Sequence, residues 1–196
     1  LELPSLPKRI ILVGGGYIAA EFSHIAARGG AEVTIIQRGP RMLTQFEPEL
    51  VNWLMDAFDR IGVRVIPDTT VESIRKRDRD YVVHASGKGG PIEFAADLVV
   101  HAAGRVPAIE RLDLEKAGIA VENGKLKLNE FLQSVSNPAV YAAGDAASNG
   151  PPLTPVSSHD AKVVAANIVE GNHREPDYRG VPSVAFTLPP IARVGL

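Results

Sequence analysis

The sequence predicts an α/β fold, a parallel sheet with helices and an antiparallel β-meander, and three observations predict it. Compact apolar runs at Arg9–Val13, Glu32–Ile36 and Val63–Ile66 read as strands, the first of them buried on both faces. Helical periodicity fills the two intervals between these runs, giving the order strand, helix, strand, helix, strand. From Thr69 to Phe94 the pattern changes to alternation around a Gly87-Lys88-Gly89-Gly90 turn, which marks paired antiparallel strands.

Taken in order, the first eight residues form an entry linker with two prolines. Arg9–Val13 runs straight into Gly14-Gly15-Gly16, after which Ile18, Phe22, Ile25 and Ala26 recur on one expected helix face. Gly29-Gly30 ends that helix, as glycine suits a helix C-terminus, and Glu32–Ile36 follows. A second helix is expected from about Glu47 to Arg60, with Val51, Leu54 and Phe58 inward, and Gly62 stops it before Val63–Ile66. Val71, Ser73 and Arg75, then Tyr81, Val83 and Ala85, carry the alternation of the meander. The charges from Arg75 to Asp80 alternate in sign and read as a solvated hairpin. Asp97–Ala103 is expected as another buried strand, a short helix at Glu110–Ala117 capped by Gly118, and two short strands around Asn123-Gly124. Ala139–Ala143 reads as an apolar strand ending at Gly144-Asp145. Thr154 is expected to cap a helix running to about Glu170, with Pro155 at its first position. The residues from Val184 onward alternate like a strand that stops without a partner, which points to a piece of a longer polypeptide.

Composition narrows the function classes. The chain has 196 residues, 45% hydrophobic and 22% charged, which is ordinary globular composition and excludes disordered or collagen-like architectures. Its net charge of −2 gives no general attraction to nucleic acid. Apolar runs are strand-length, far below the roughly 20 residues of a membrane helix. The opening Leu1-Glu2-Leu3-Pro4 lacks the basic and apolar regions of a secretory leader, so a cytoplasmic location is expected. There is no cysteine, hence no disulfide and no thiolate nucleophile, and the five histidines have no metal-ligand spacing. His24 and His101 are expected as packed core or boundary residues.

The chemistry is carried by Gly14-x-Gly16-x-x-Ala19, which follows a strand and opens a helix. In that context the first glycine permits a tight turn, the second lets backbone approach a pyrophosphate, and the small third residue lets helix and strand pack closely. The helix N-terminus offers free N–H groups and positive dipole to phosphate. A dinucleotide-binding Rossmann unit is the expectation. Units that select NAD place a carboxylate at the end of the second strand, to hold the ribose 2′-hydroxyl. Here the stretch is Gln37-Arg38-Gly39-Pro40-Arg41, with two guanidinium groups and no carboxylate. A 2′-phosphate gains charge-assisted hydrogen bonds from such groups, so the expected cofactor is NADP(H).

The run Gly14-Gly15-Gly16-Tyr17-Ile18-Ala19-Ala20-Glu21 closely resembles the nicotinamide-binding segment of the flavin-dependent pyridine nucleotide-disulfide oxidoreductases. Within that family it looks most like the glutathione reductases. Three further blocks agree. Ala102-Ala103-Gly104-Arg105-Val106-Pro107 resembles the family's hinge between nicotinamide and flavin parts. Val140-Tyr141-Ala142-Ala143-Gly144-Asp145 resembles its second flavin motif, with Leu153-Thr154-Pro155 resembling the helix start beneath the isoalloxazine. Phe186-Thr187, Pro189-Pro190-Ile191-Ala192 and Val194-Gly195-Leu196 resemble the opening of its dimerisation domain.

The resemblance implies a Rossmann-like FAD/NAD(P)-binding fold in three segments: an NAD(P)H-binding domain at 1–106, the C-terminal part of the FAD-binding domain at 107–178, and the start of a dimerisation domain at 179–196. It implies cofactor-binding roles for Gly14, Gly15, Gly16, Tyr17, Ile18, Glu21, Gln37, Arg38, Arg41, Ala103, Gly104, Gly144, Asp145, Leu153 and Thr154. Tyr17 would lie over the flavin until nicotinamide displaces it. Glu21 would face the flavin and pair with a lysine from elsewhere in the parent; its plainer reading is a first-turn carboxylate. Asp145 would accept hydrogen bonds from the ribityl or phosphate region of FAD, and Thr154-Pro155 would turn a helix N-terminus toward the pyrimidine edge.

The sequence departs from the family pattern in three places: Thr44 stands where glutathione reductases carry a second arginine, Ser158-His159-Asp160 fills a stretch usually small and glycine-containing, and His101 sits in a strand where the family prefers aliphatic residues. The family's first flavin motif, redox cysteine pair and His-Glu base have no counterpart, so no catalytic residue is assigned and the chain alone is expected to be inactive and not to retain flavin. The parent would pass hydride from NADPH to FAD and on to a small-molecule disulfide, as a homodimer. The alternatives are a mercuric reductase-like or dihydrolipoamide dehydrogenase-like flavoprotein, or a non-catalytic dinucleotide-binding module.

Overall fold

The computed structural model describes residues 3–195. The expectations resting on Leu1, Glu2 and Leu196 lie outside the described residues. By packing, the chain forms two units: one runs to Gly104 and includes Val184–Arg193, and the other is Arg105–Ser183 together with the described residues from Val194. Residues 184–193 pack with the first unit, because Ala185 and Ile191 bury in its core.

The first unit is built on the strands β1 (Arg9–Val13), β2 (Glu32–Ile36), β3 (Val63–Ile66) and β7 (Leu98–His101), with β4 (Thr70–Arg77), β5 (Asp80–Gly87) and β6 (Gly90–Ala96) between the last two. The four form a parallel sheet in the order β3-β2-β1-β7. Parallel neighbours need a crossover, and α1 (Tyr17–Arg28) and α2 (Pro48–Arg60) supply the first two. Side chains alternate across the sheet. Ile10, Leu12, Val33 and Ile35 join a core with Ala19 and Ala20 of α1 and Val51, Leu54 and Phe58 of α2. Ile11 and Ile36 face the other way, into a second core with Val83 and Ala96 of the meander β4-β5-β6. The expected Rossmann-like α/β architecture is the one observed.

Several local expectations are corrected. Of the expected face of α1, Ile18, Phe22 and Ala26 pack half-buried against the core but Ile25 is exposed, and the buried residues of the helix are Ala19, Ala20, Ser23 and His24. Small side chains let this helix sit close on the sheet, so its inner face carries little hydrophobic signal. The strand expected at Asp97–Ala103 is only Leu98–His101; it is an edge strand, half-buried, and His101 is exposed rather than packed. Asp80 is not simply solvated: Arg9 Nη2 donates to it at 2.9 Å and also reaches Asp97. The meander holds an irregularity between Val71 and Ser73, which leaves Glu72 out of register.

The second unit has a smaller core of Leu126, Leu128, Leu132, Ala147 and Val163. Its strands β8 (Val121–Glu122) and β9 (Lys125–Leu126) flank Asn123 and Gly124, both at positive φ, the backbone that a two-residue hairpin demands. The expected helix at Glu110–Ala117 is only a 3-10 turn at Glu110–Leu112. Ala139–Ala143 is not a strand; its sole ladder contact is a bridge from Tyr141 to Gln133, and a 3-10 turn at Gly144–Ala146 follows. α3 spans Thr154–Glu170 as expected, but Leu153 occupies the N-cap and no side chain caps the helix.

At the end of the described chain, β10 (Pro182–Ala185) pairs with β11 (Ile191–Val194). The strand expected to lack a partner is a hairpin. Among the described residues no helix is long and apolar enough to cross a membrane.

Candidate functional site

The glycine loop leaves the C-terminal end of β1 where β2 lies on one side and β7 on the other, the switch point at which open α/β sheets bind ligands. Its three glycines are needed for three different reasons. Gly14 has φ +108°, and a Cβ there would fall 2.5 Å from the Ala102 carbonyl oxygen and 2.6 Å from the Ala103 Cα. Its N–H closes the loop onto the Ile36 carbonyl at 2.8 Å. Gly15 is pinned on both sides: its N–H donates to Gln37 Oε1 at 2.8 Å and its carbonyl accepts from the Leu43 N–H at 2.7 Å. A Cβ on Gly15 would meet Met42 Cβ at 2.8 Å. Gly16 is the N-cap of α1 and has no atom within 4 Å of where its Cβ would be. Open space next to a helix N-terminus is what a diphosphate needs.

Within α1 the first backbone bond runs from the Ala20 N–H to the Gly16 carbonyl. The N–H groups of Tyr17, Ile18 and Ala19 therefore have no intrahelical acceptor. No carboxylate lies in the first turn to compete for them. Glu21 is one turn further on, so it is not the first-turn carboxylate of the plainer reading. Tyr17 packs its ring edge-on against Phe46, with centroids 5.7 Å apart. Ile18 is half-buried beside it, and Ala103 and Gly104 follow β7 as exposed backbone, Gly104 at φ +109°.

The end of β2 divides its polar groups. Gln37 turns inward, accepting from Gly15 and donating through Nε2 to the Arg41 carbonyl at 3.3 Å. Arg41 is half-buried, with Nη2 on the Thr44 carbonyl at 3.0 Å and Nη1 buried without a partner. Arg38 is exposed and makes no ion pair or side-chain hydrogen bond among the described residues. Of the two guanidinium groups, only that of Arg38 is uncommitted.

On α1, Glu21 and His24 meet a single residue of the C-terminal hairpin. The Phe186 N–H donates to Glu21 Oε1 at 3.0 Å, and the Phe186 carbonyl lies 3.2 Å from His24 Nε2. Sequence reasoning missed this clamp because its partners are 165 and 162 residues apart. His24 is buried as expected, and its Nδ1 has no partner.

In the second unit, Gly144 has φ +70°, and a Cβ there would run into the side chain of Ser157 on α3. Its N–H donates to Asp160 Oδ2 at 3.0 Å, and the other oxygen, Oδ1, accepts from the Tyr178 hydroxyl at 2.9 Å. Asp160 is fully buried. Burial, and then the hydrogen bond to Asp160, hold the Tyr178 hydroxyl well above the usual tyrosine range. Asp145 is partly exposed and accepts from Arg105 Nη2 at 2.7 Å. Leu153 accepts the Ser157 N–H, and Thr154 stands exposed at the open N-terminus of α3. Residues Gly144, Asp145, Leu153 and Thr154 thus gather around the first turns of one helix, while Gly14 to Glu21, Gln37 to Arg41, Ala103 and Gly104 gather at one end of the parallel sheet.

Comparison with known proteins agrees with this geometry. The family model described as pyridine nucleotide-disulphide oxidoreductase matches residues 1–161. Mercuric reductase from Staphylococcus aureus is 36% identical over the whole chain, which spans 36% of that protein. Dihydrolipoyl dehydrogenase from the same organism is 34% identical over the whole chain, covering 41% of its length. Among solved structures, the Cu(II) complex of the HOCl-induced flavoprotein disulfide reductase RclA from Escherichia coli matches with a TM-score of 0.88 at 30% identity, over 100% of this chain and 43% of that one. The chain therefore spans well under half the length of these relatives. With the family model covering residues 1–161 and the fold shared with flavoprotein disulfide reductases, the chain belongs to the pyridine nucleotide-disulphide oxidoreductase family.

Proposed function

We propose that this chain is the NADPH-binding part of a flavoprotein oxidoreductase, with its nucleotide domain at 1–106, the second part of a flavin domain at 107–178 and the start of a dimerisation domain from 179. In such a parent, bound FAD supplies the two-electron chemistry that links NADPH to a disulfide acceptor. The contribution of this chain is to bind and orient. The N–H groups of Tyr17, Ile18 and Ala19 offer donors to a diphosphate, and Gly16 leaves room for it. Asp145 and the N-terminus of α3 would hold the flavin side.

The observation that carries the NADPH reading is the division of labour after β2. Gln37 is turned into the loop and brings no carboxylate to a ribose 2′-hydroxyl, while Arg38 stands free for a 2′-phosphate. Titration of the full-length protein with NADPH and with NADH tests this; several-fold tighter NADPH binding is expected, and equal affinities would end the assignment. The resemblance of the glycine segment points to a glutathione reductase-like acceptor. The mercuric reductase and dihydrolipoyl dehydrogenase relatives favour those types as the second reading. Turnover of the full-length protein with oxidised glutathione, a mercuric salt or lipoamide separates them.

A further inference from the structure

We propose that Asp160 is the positioning residue of the flavin side, acting with Tyr178 to fix the Gly144–Asp145 turn against the start of α3. The inference rests on the flavin-binding role proposed above for Asp145 and Thr154. Three observations carry it. Asp160 is a fully buried carboxylate on α3 with no cationic partner among the described residues, an expensive arrangement unless its oxygens are occupied. Both are: one takes the Gly144 N–H and the other the Tyr178 hydroxyl. Second, the residue it grips is the one at φ +70°, where backbone conformation must be held from outside. Third, the Tyr178 ring lies against Gly150, where a Cβ would come within 2.9 Å of ring carbons.

One pair of side chains therefore reaches the turn that carries Asp145 and the 148–152 loop that leads into Thr154. Loss of the carboxylate would let turn and loop move independently, and both groups proposed to face the flavin would lose their register. Arg105, which pairs with Asp145, cannot supply this restraint, because its contact is exposed and falls on the side chain instead of the backbone.

The test uses the full-length protein with bound FAD, reading the FAD dissociation constant, the visible absorption maxima of the retained flavin and thermal unfolding. Asp160→Leu is expected to weaken FAD binding by about tenfold and to shift the flavin spectrum, and Tyr178→Phe to do so by about threefold. Asp160→Asn is expected to recover affinity to within about twofold of wild type. Its Oδ1 can accept the Gly144 N–H while its Nδ2 donates to the Tyr178 oxygen. If Asp160→Leu does not fold, Tyr178→Phe and Asp160→Asn decide. Wild-type affinity and spectrum in Tyr178→Phe or Asp160→Leu, a loss of thermal stability with an unchanged flavin spectrum, or no rescue by Asp160→Asn would each overturn the inference alone. A wild-type protein that binds no FAD would instead overturn the flavin reading on which it rests.

Discussion

Gln37 reaches from the end of β2 to hold the Gly15 N–H at 2.8 Å, so the residue expected at the ribose is part of the glycine loop's own frame. Gln37→Glu keeps an acceptor for Gly15 but loses the donor to the Arg41 carbonyl and adds a negative charge beside the bound ribose. NADPH affinity of the full-length protein should fall several-fold more than NADH affinity. Isothermal titration with both cofactors checks it, and an equal loss would show that the charge lies too far from the 2′ position to matter.

Arg38→Ala should weaken NADPH binding about fivefold and leave NADH almost unchanged. A charge-assisted hydrogen bond contributes about 1.5–3 kcal/mol when shielded, and Arg38 is exposed, so solvent screening reduces this to about 1 kcal/mol. The effect should shrink as salt is raised. Arg41→Ala should reach NADPH and NADH alike, because Arg41 is engaged with Thr44 inside its loop. Titrations at two ionic strengths distinguish the pair.

Gly14 and Gly16 should separate folding from binding. Gly14→Ala forces a side chain into the backbone of Ala102 and Ala103 at φ +108° and should destabilise the protein by at least about 2 kcal/mol. Gly16→Ala meets no protein atom, so the unfolding free energy should fall by no more than about 1 kcal/mol, the cost of alanine in place of glycine at an N-cap, while dinucleotide affinity drops. Thermal melts and cofactor titrations on both variants provide the comparison; a strongly destabilised Gly16→Ala would refute it.

Acid should expose the pairing of Arg9 with Asp97. The side-chain hydrogen bonds from the Arg9 guanidinium, and then the bond from its backbone N–H, hold the Asp97 carboxyl below its usual 3.8. A carboxyl depressed in the folded state contributes stability above its unfolded pKa and loses it as pH falls through the folded value. Stability should therefore be flat in this respect above about pH 5 and decline below about pH 4. Asp97→Asn should shallow that acid limb in a series of denaturant melts. Some slope will persist, because Arg179 lowers the Asp177 carboxyl in the same direction.

The strands and helices of the first unit were legible because each has a period that burial enforces. Val51, Leu54 and Phe58 repeat at helical spacing and are at most 1% exposed, and β1 to β3 match their apolar runs. The inner face of α1 was not legible, since alanine and serine pack closely without announcing it. Ala139–Ala143 has strand composition, yet strand structure depends on a neighbour that hydrogen-bonds to it, and composition does not name neighbours. The glycine loop could be read at the level of its donors, because the motif and the helix start are local. The inward turn of Gln37, the grip of Glu21 and His24 on Phe186, and the burial of Asp160 could not. Each joins residues far apart in sequence, and a lone aspartate within a helix has the same signature whether it faces water or a buried backbone N–H.

The placement of Ala185 and Ile191 in the core of β1 and α1 has a topological consequence. The polypeptide leaves the first unit at Gly104 and re-enters it at Val184. The second unit is thus spliced into the first, with both of its ends anchored in one body. A protease that nicks the chain once near Arg105 severs the backbone without freeing either fragment, because the downstream piece still has its hairpin seated in the upstream core. Release requires a second cut ahead of Val184, so limited digestion should yield fragments that part on a denaturing gel yet elute together from a native column.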